Sequence, residues 1–218
     1  MKKLHKRLLK GLGANAFGQV ATIIIQLVSV PIFLQAWGVE LYGEWLILST
    51  IPSYFAMSDV GFANVAANEM TMEVAKDNKS NALDIFQSVW VFVSIICLIL
   101  FIIFGLGTWL TPIESWLNLQ RQTHVEAFSI IVLFTLHVLV KFQIGMLAAG
   151  FRCEGNYALG LLLGNIIRLI ENLGVALVAL VGGSLIQAAL LFFILRLIGM
   201  AYMIHRLKAI SPWITYGF

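Results

Sequence analysis

Five ionisable side chains stand inside stretches of sequence otherwise too apolar to hold them: Asp59, Lys141, Arg168, Glu171 and Arg196. A charge at the centre of a bilayer costs about 2.5–3.5 kcal/mol on insertion scales, so such groups pair with one another or have a task. Arginine has a planar fork that matches the oxygens of a phosphate or carboxylate, so an anion is the natural ligand for an excess of such cations. His137 and Lys141 are spaced i and i+4, which puts them on one helix face. Asn165, Arg168, Glu171 and Asn172 fall within one broad face of another helix. With His137 neutral, three cations against two carboxylates leave this group at +1.

The spacing also predicts a common depth. At about 1.5 Å per residue, Asp59, Lys141, Arg168 and Arg196 each lie roughly 13–15 Å in from the nearest polar helix end. That is near the middle of a hydrocarbon core about 30 Å thick, with Glu171 one turn further on. Three readings follow from these residues. The charges pair internally, Arg168 with Glu171 and Asp59 with Lys141 or Arg196. Alternatively they face a shared hydrated cavity that receives an anion. Or Lys141 and Arg196 snorkel to the surface.

The elements that must position these groups are membrane spans. The 218 residues are 60% hydrophobic and 11% charged, with a mean hydropathy of +0.92. Soluble domains carry about 25% charged residues, so lipid is the solvent for most of this chain. A span needs about 20 mostly apolar residues, and six stretches qualify, near 12–36, 43–67, 86–110, 126–150, 158–181 and 184–205. The expected architecture is an all-α integral membrane protein: one six-helix lobe over 1–205, then a tail over 206–218. The basic N-terminus, MKKLHKRLLK, precedes an apolar run longer than a signal peptide's core and without a small-residue cleavage site. It reads as an uncleaved first span.

Lysine and arginine set the orientation. With a cytoplasmic N-terminus, ten of them (Lys2, Lys3, Lys6, Arg7, Lys10, Lys76, Lys79, Arg152, Arg206, Lys208) fall in inside segments and only Arg121 in an outside loop. Both termini are therefore expected in the cytoplasm. In the first span, Asn15, Gln19, Thr22, Gln26 and Ser29 follow a 4-3-4-3 spacing and share a face. Lipid cannot satisfy amides, so the stripe either bonds to other helices or lines a cavity. Pro31 is expected to kink this span. A tight turn is expected over Gly38–Gly43, then a second span interrupted by Pro52 and carrying Asp59. The run from Glu69 to Asp84, rich in charge and helix formers, reads as a cytoplasmic surface helix or, more simply, a solvated cytoplasmic connector. Gly160 and Gly164 form a GxxxG pair that permits close helix approach.

Several functions are excluded by what the sequence lacks. No HExxH, GxSxG, Walker loop or glycine-rich dinucleotide turn occurs, so no enzyme and no cofactor is expected. The four histidines are scattered over separate segments, which argues against a metal site. The basic residues sit at span ends rather than in a stripe, which argues against nucleic acid. Two cysteines, Cys97 and Cys153, give no disulfide framework.

Gly38, Tyr42, Gly43 and Trp45 in WGVELYGEWLIL, then Asp59, Gly61 and Asn68 in SDVGFANVAAN, form a pattern of their own. Together with the basic N-terminus and the polar-striped first helix, it resembles the polysaccharide-flippase branch of the multidrug/oligosaccharidyl-lipid/polysaccharide exporter superfamily, O-antigen translocases above all. The motif covers about the first 90 residues, and helix pattern covers the rest. The resemblance implies two six-helix lobes around a central cavity, of which this chain is the first. It implies flipping of an undecaprenyl-diphosphate-linked oligosaccharide across a bacterial inner membrane by alternating access, in the service of O-antigen, lipopolysaccharide or other polysaccharide biosynthesis. Expected partners are that substrate, membrane lipids, a second six-helix lobe and other polysaccharide-assembly proteins. The expected substrate-binding layer is Asp59, Lys141, Arg168, Glu171 and Arg196, with the stripe of Asn15, Gln19 and Gln26 beside it. Two alternatives stand alongside: a cation-coupled small-molecule exporter lobe using Asp59, and an inactive truncated fragment.

Overall fold

A computed structural model describes residues 2–57 and 61–215. Asp59 lies outside the described residues. The described residues are mostly helical, in the order α1 (Lys2–Met57), α2 (Phe62–Ala75), α3 (Lys79–Leu110), α4 (Ile113–Trp116), α5 (His124–Cys153), α6 (Tyr157–Leu180) and α7 (Leu185–Ile210). Five of these, α1, α3, α5, α6 and α7, are long and apolar enough to cross a membrane. This is an all-α architecture of the multi-pass membrane type.

The apolar stretch of α1 runs from Leu9 to Tyr54. Straight, it would reach roughly 70 Å, more than twice a hydrocarbon core. It is not straight. Gly38 has φ 74° and ψ 175°, the one non-helical residue inside α1, and a left-handed φ that a side chain disfavours. The chain doubles back there. Phe33 and Trp45, twelve positions apart, have ring centroids within 6.4 Å, and Trp37 and Trp45 are within 5.4 Å. A straight helix would separate residues so spaced by about 18 Å. α1 is thus a hairpin of two limbs, 2–37 and 39–57. The turn expected over Gly38–Gly43 is made by Gly38 alone, and Gly43 is helical. The helix also runs through Pro31 and Pro52, where a kink and an interruption were expected.

The second expected span, 43–67, is not one helix. α1 ends at Met57 and α2 starts at Phe62 after Gly61. α2 then continues as far as Ala75, into the run expected as a surface helix or solvated connector. The reason is apolar burial: Ala66 and Met70 pack against Phe86, Ile144, Met146 and Phe151, while Lys76 stays exposed and pairs with Glu73 at 2.7 Å.

Starts and ends of the remaining helices are locally encoded. Thr123 and Glu126 form a capping box on α5, and Ser184 and Gln187 form one on α7, each satisfying two orphan backbone donors. One end of the bundle is stitched around the hairpin. Trp37 donates its Nε1 hydrogen to the Gly183 carbonyl at 3.0 Å, and Arg121 pairs with Glu40 at 2.9 Å. Nearby, the contact with His124 Nδ1 at 2.7 Å holds the Glu114 carboxyl below the usual carboxylate range. The buried Glu44 carboxylate accepts from the Gln120 and Arg121 backbone N–H groups at 2.6 and 2.8 Å. Bonds to a charged acceptor contribute about 1.5–3 kcal/mol each. Glu44→Ala is therefore expected to loosen the 117–123 connection, read as a lower unfolding midpoint and new protease cleavage in that segment.

At the opposite end, Arg152 donates to Asn68 and Trp213 donates to Glu154 at 2.6 Å. The tail expected from 206 onward is helical as far as Ile210. Residues 211–215 then return to the bundle, with Ile214 buried among Phe151 and Leu207.

Candidate functional site: a charged cleft at mid-bundle

Two of the core's apolar clusters flank the charged groups. One holds Phe33, Trp45, Phe134, Val175 and Ala189. Another holds Ile144, Ile167 and Met203. On α5, α6 and α7 the buried polar residues between these clusters are His137, Glu171 and Arg196. The polar layer therefore sits between two apolar layers.

Arg196 spends one edge of its guanidinium here. Its Nη2 donates to Glu171 Oε2 at 2.7 Å, and its Nε donates to His137 Nε2 at 3.0 Å. The His137 ring stacks on Phe192 at 4.0 Å between centroids, which fixes its plane. Internal pairing thus occurs, but with a different partner from the one expected: Glu171 takes Arg196 from α7, not Arg168 from its own helix. The other Glu171 oxygen, Oε1, is buried with no hydrogen-bond partner among the described residues.

Arg168 is held differently. Its Nη2 donates to the Gly18 carbonyl and to Thr22 Oγ1, both at 2.8 Å. Its Nε is buried and has no partner among the described residues. Both acceptors are neutral, so this guanidinium has no counter-ion among the described residues. Lys141 is exposed and likewise has no ion-pair partner among them. Snorkelling is ruled out for Arg196, whose head group is buried at mid-bundle.

All four described charges line one cleft of about 620 Å³, together with His137, Asn165, Asn172 and, from the second limb of α1, Ser49 and Ser53. The cleft wall is mixed, with Phe33, Trp45, Phe134 and Phe192 beside the polar groups. A concave site with apolar walls and a few convergent polar groups is the usual form of a ligand pocket.

The stripe on the first limb is split by the structure. The buried face of this limb carries Ala14, Gly18, Ala21 and Ser29; the first three lie one position off the stripe, and Ser29 belongs to it. Asn15, Gln19 and Gln26 are exposed, and Asn15 bonds back to Gly11 of its own helix. None of these three is among the described residues that line the cleft. Thr22 joins the site through its bond from Arg168. Close helix approach occurs at Gly18 and, of the Gly160/Gly164 pair, at Gly160, where an added Cβ would sit 3.1 Å from the Phe151 Cβ of α5; Gly164 faces open space. A Cβ on Gly18 would sit 2.6 Å from Asn165 Nδ2, and Asn165 donates to the Ala14 carbonyl at 3.2 Å. Gly18→Val is expected to cost about 1–3 kcal/mol by forced displacement, seen as a lower unfolding midpoint in detergent. The spacing of Ala14 and Gly18, small residues four apart, was the signal for this contact.

No protein-family model, no curated protein and no solved structure matches this chain.

Proposed function

We propose that this chain is a translocase lobe for a lipid-linked oligosaccharide, the undecaprenyl-diphosphate-linked repeat unit of O-antigen or another surface polysaccharide, in a bacterial inner membrane. One observation carries the reading. After Glu171 has neutralised Arg196, the cleft keeps two cations, Arg168 and Lys141, without a carboxylate among the described residues. Uncompensated charge in a mostly apolar bundle is expensive, and a diphosphate supplies the missing negative charge. Guanidinium and ammonium groups meet phosphate oxygens by charge-assisted hydrogen bonds. The exposed amides of Asn15, Gln19 and Gln26 suit a hydroxyl-rich oligosaccharide and are unsuited to lipid. The turn motif around Gly38 and Trp45 supports the same reading by resemblance.

The test is complementation in a flippase-null strain, with the chain expressed beside a second lobe. Arg168→Ala and Lys141→Ala are expected to abolish or strongly reduce surface polysaccharide at unchanged membrane levels. Wild-type polysaccharide in both variants would refute the role.

A further inference from the structure

We infer that Arg168 is a clasp between α6 and α1 which a multi-oxygen anion in the cleft unfastens, releasing the first limb of α1 from the bundle. The inference concerns regulation of the same site and rests on its anion-accepting reading.

The first limb of α1 is tied at two levels. Near Gly38 it is fixed by the Phe33 and Trp37 rings against Trp45, at 6.4 and 5.4 Å, and by the Trp37 bond to Gly183. Further along, its polar ties to α6 are Asn165 to the Ala14 carbonyl, and Arg168 to the Gly18 carbonyl and Thr22. No ion pair joins this limb to the bundle among the described residues. Weakening of the Arg168 tie leaves a limb anchored at the Gly38 end, with Asn165 as its remaining full polar tie to α6 in the described contacts.

The competition is geometric. Nε and Nη2 form one edge of a guanidinium, the edge that grips two oxygens of an anion side-on. In Arg196 that edge is filled by Glu171 and His137. In Arg168 the Nε is buried with no partner among the described residues, and Nη2 is lent to two neutral oxygens of α1. A phosphate-type anion gripping Nε and Nη2 side-on takes one of the two Nη2 hydrogens that α1 now uses. It adds a bond at Nε and a full opposite charge that the neutral oxygens of α1 do not offer, so the anion wins the exchange. One of the two α1 acceptors then loses its donor, and the limb loosens from α6 at that level.

The experiment uses the full chain in lipid nanodiscs with inorganic pyrophosphate as probe. Ala21, fully buried against α6 in this conformation, is replaced by cysteine and its maleimide labelling rate is followed. Saturating pyrophosphate is expected to speed labelling about tenfold, and Ala21→Cys/Arg168→Ala is expected to label fast with or without it. A second variant guards against misfolding of the first. Thr22→Val removes a competing acceptor and should tighten pyrophosphate binding about 3- to 10-fold, an increase that a merely structural Thr22 would not give. Pyrophosphate binding with unchanged labelling and unchanged affinity in Thr22→Val overturns the clasp and leaves the anion cleft standing. Absence of pyrophosphate binding overturns both.

Discussion

Glu171→Ala is expected to lower stability by about 3–5 kcal/mol, the cost of removing one partner from a buried ion pair. Glu171 is fully buried, and its Oε2 is the only anionic acceptor Arg196 has among the described residues. Without it the guanidinium keeps only His137, a neutral acceptor, between two apolar clusters. Removing both charges has a different expected outcome. Glu171→Leu combined with Arg196→Leu should recover most of the loss, since apolar replacement of a whole buried pair is often neutral or stabilising. Thermal unfolding of the purified variants in detergent checks this. A loss in the double variant equal to the sum of the single losses would show that the pair does not act as a unit.

Arg168→Ala is expected to behave in the opposite way, with little loss of fold and a large loss of ligand affinity. Its two bonds go to neutral oxygens, and its Nε bonds to nothing among the described residues. Hydrogen bonds to charged groups are worth about 1.5–3 kcal/mol, so pyrophosphate affinity should fall roughly 10- to 100-fold. Lys141→Ala should produce a loss of similar order through the second uncompensated cation. Arg168→Lys should recover only part of the affinity, because an ammonium cannot grip two oxygens side-on. The contrast between Glu171 and Arg168, three positions apart on one helix, separates the structural charge from the ligand-binding charge.

Much of this was legible in the sequence, for physical reasons that can be named. The apolar runs fixed the long helices, because twenty residues without charge have few other solvents. Counting residues put Asp59, Lys141, Arg168 and Arg196 at one expected depth, with Glu171 one turn further on, because a helix converts position into depth at a constant rise. What counting could not reveal was pairing. Arg168 and Arg196 are the same residue type at similar depth, yet one meets a carboxylate and the other a carbonyl. That difference depends on rotation about the helix axes and on which neighbour arrives, and no local pattern encodes it. The helix-facing side of the first limb was hidden for the same reason. The stripe of Asn15, Gln19 and Gln26 is regular, but the small residues one step round, Ala14, Gly18 and Ala21, are the buried ones. At Gly38 the expected loop was too long, since a single glycine suffices to reverse α1. At Gly61 a left-handed backbone divides the span expected over 43–67, and the residue pattern did not mark that break. Asp59, prominent in the sequence, lies outside the described residues.

The central claim is that the cleft carries uncompensated positive charge and takes an anion. The most direct measurement is equilibrium binding of labelled pyrophosphate to the unmodified chain in neutral-lipid nanodiscs, with choline as a cationic control. The account predicts saturable pyrophosphate binding at one site per chain and none for choline. Pyrophosphate uptake no greater than that of empty nanodiscs would contradict it.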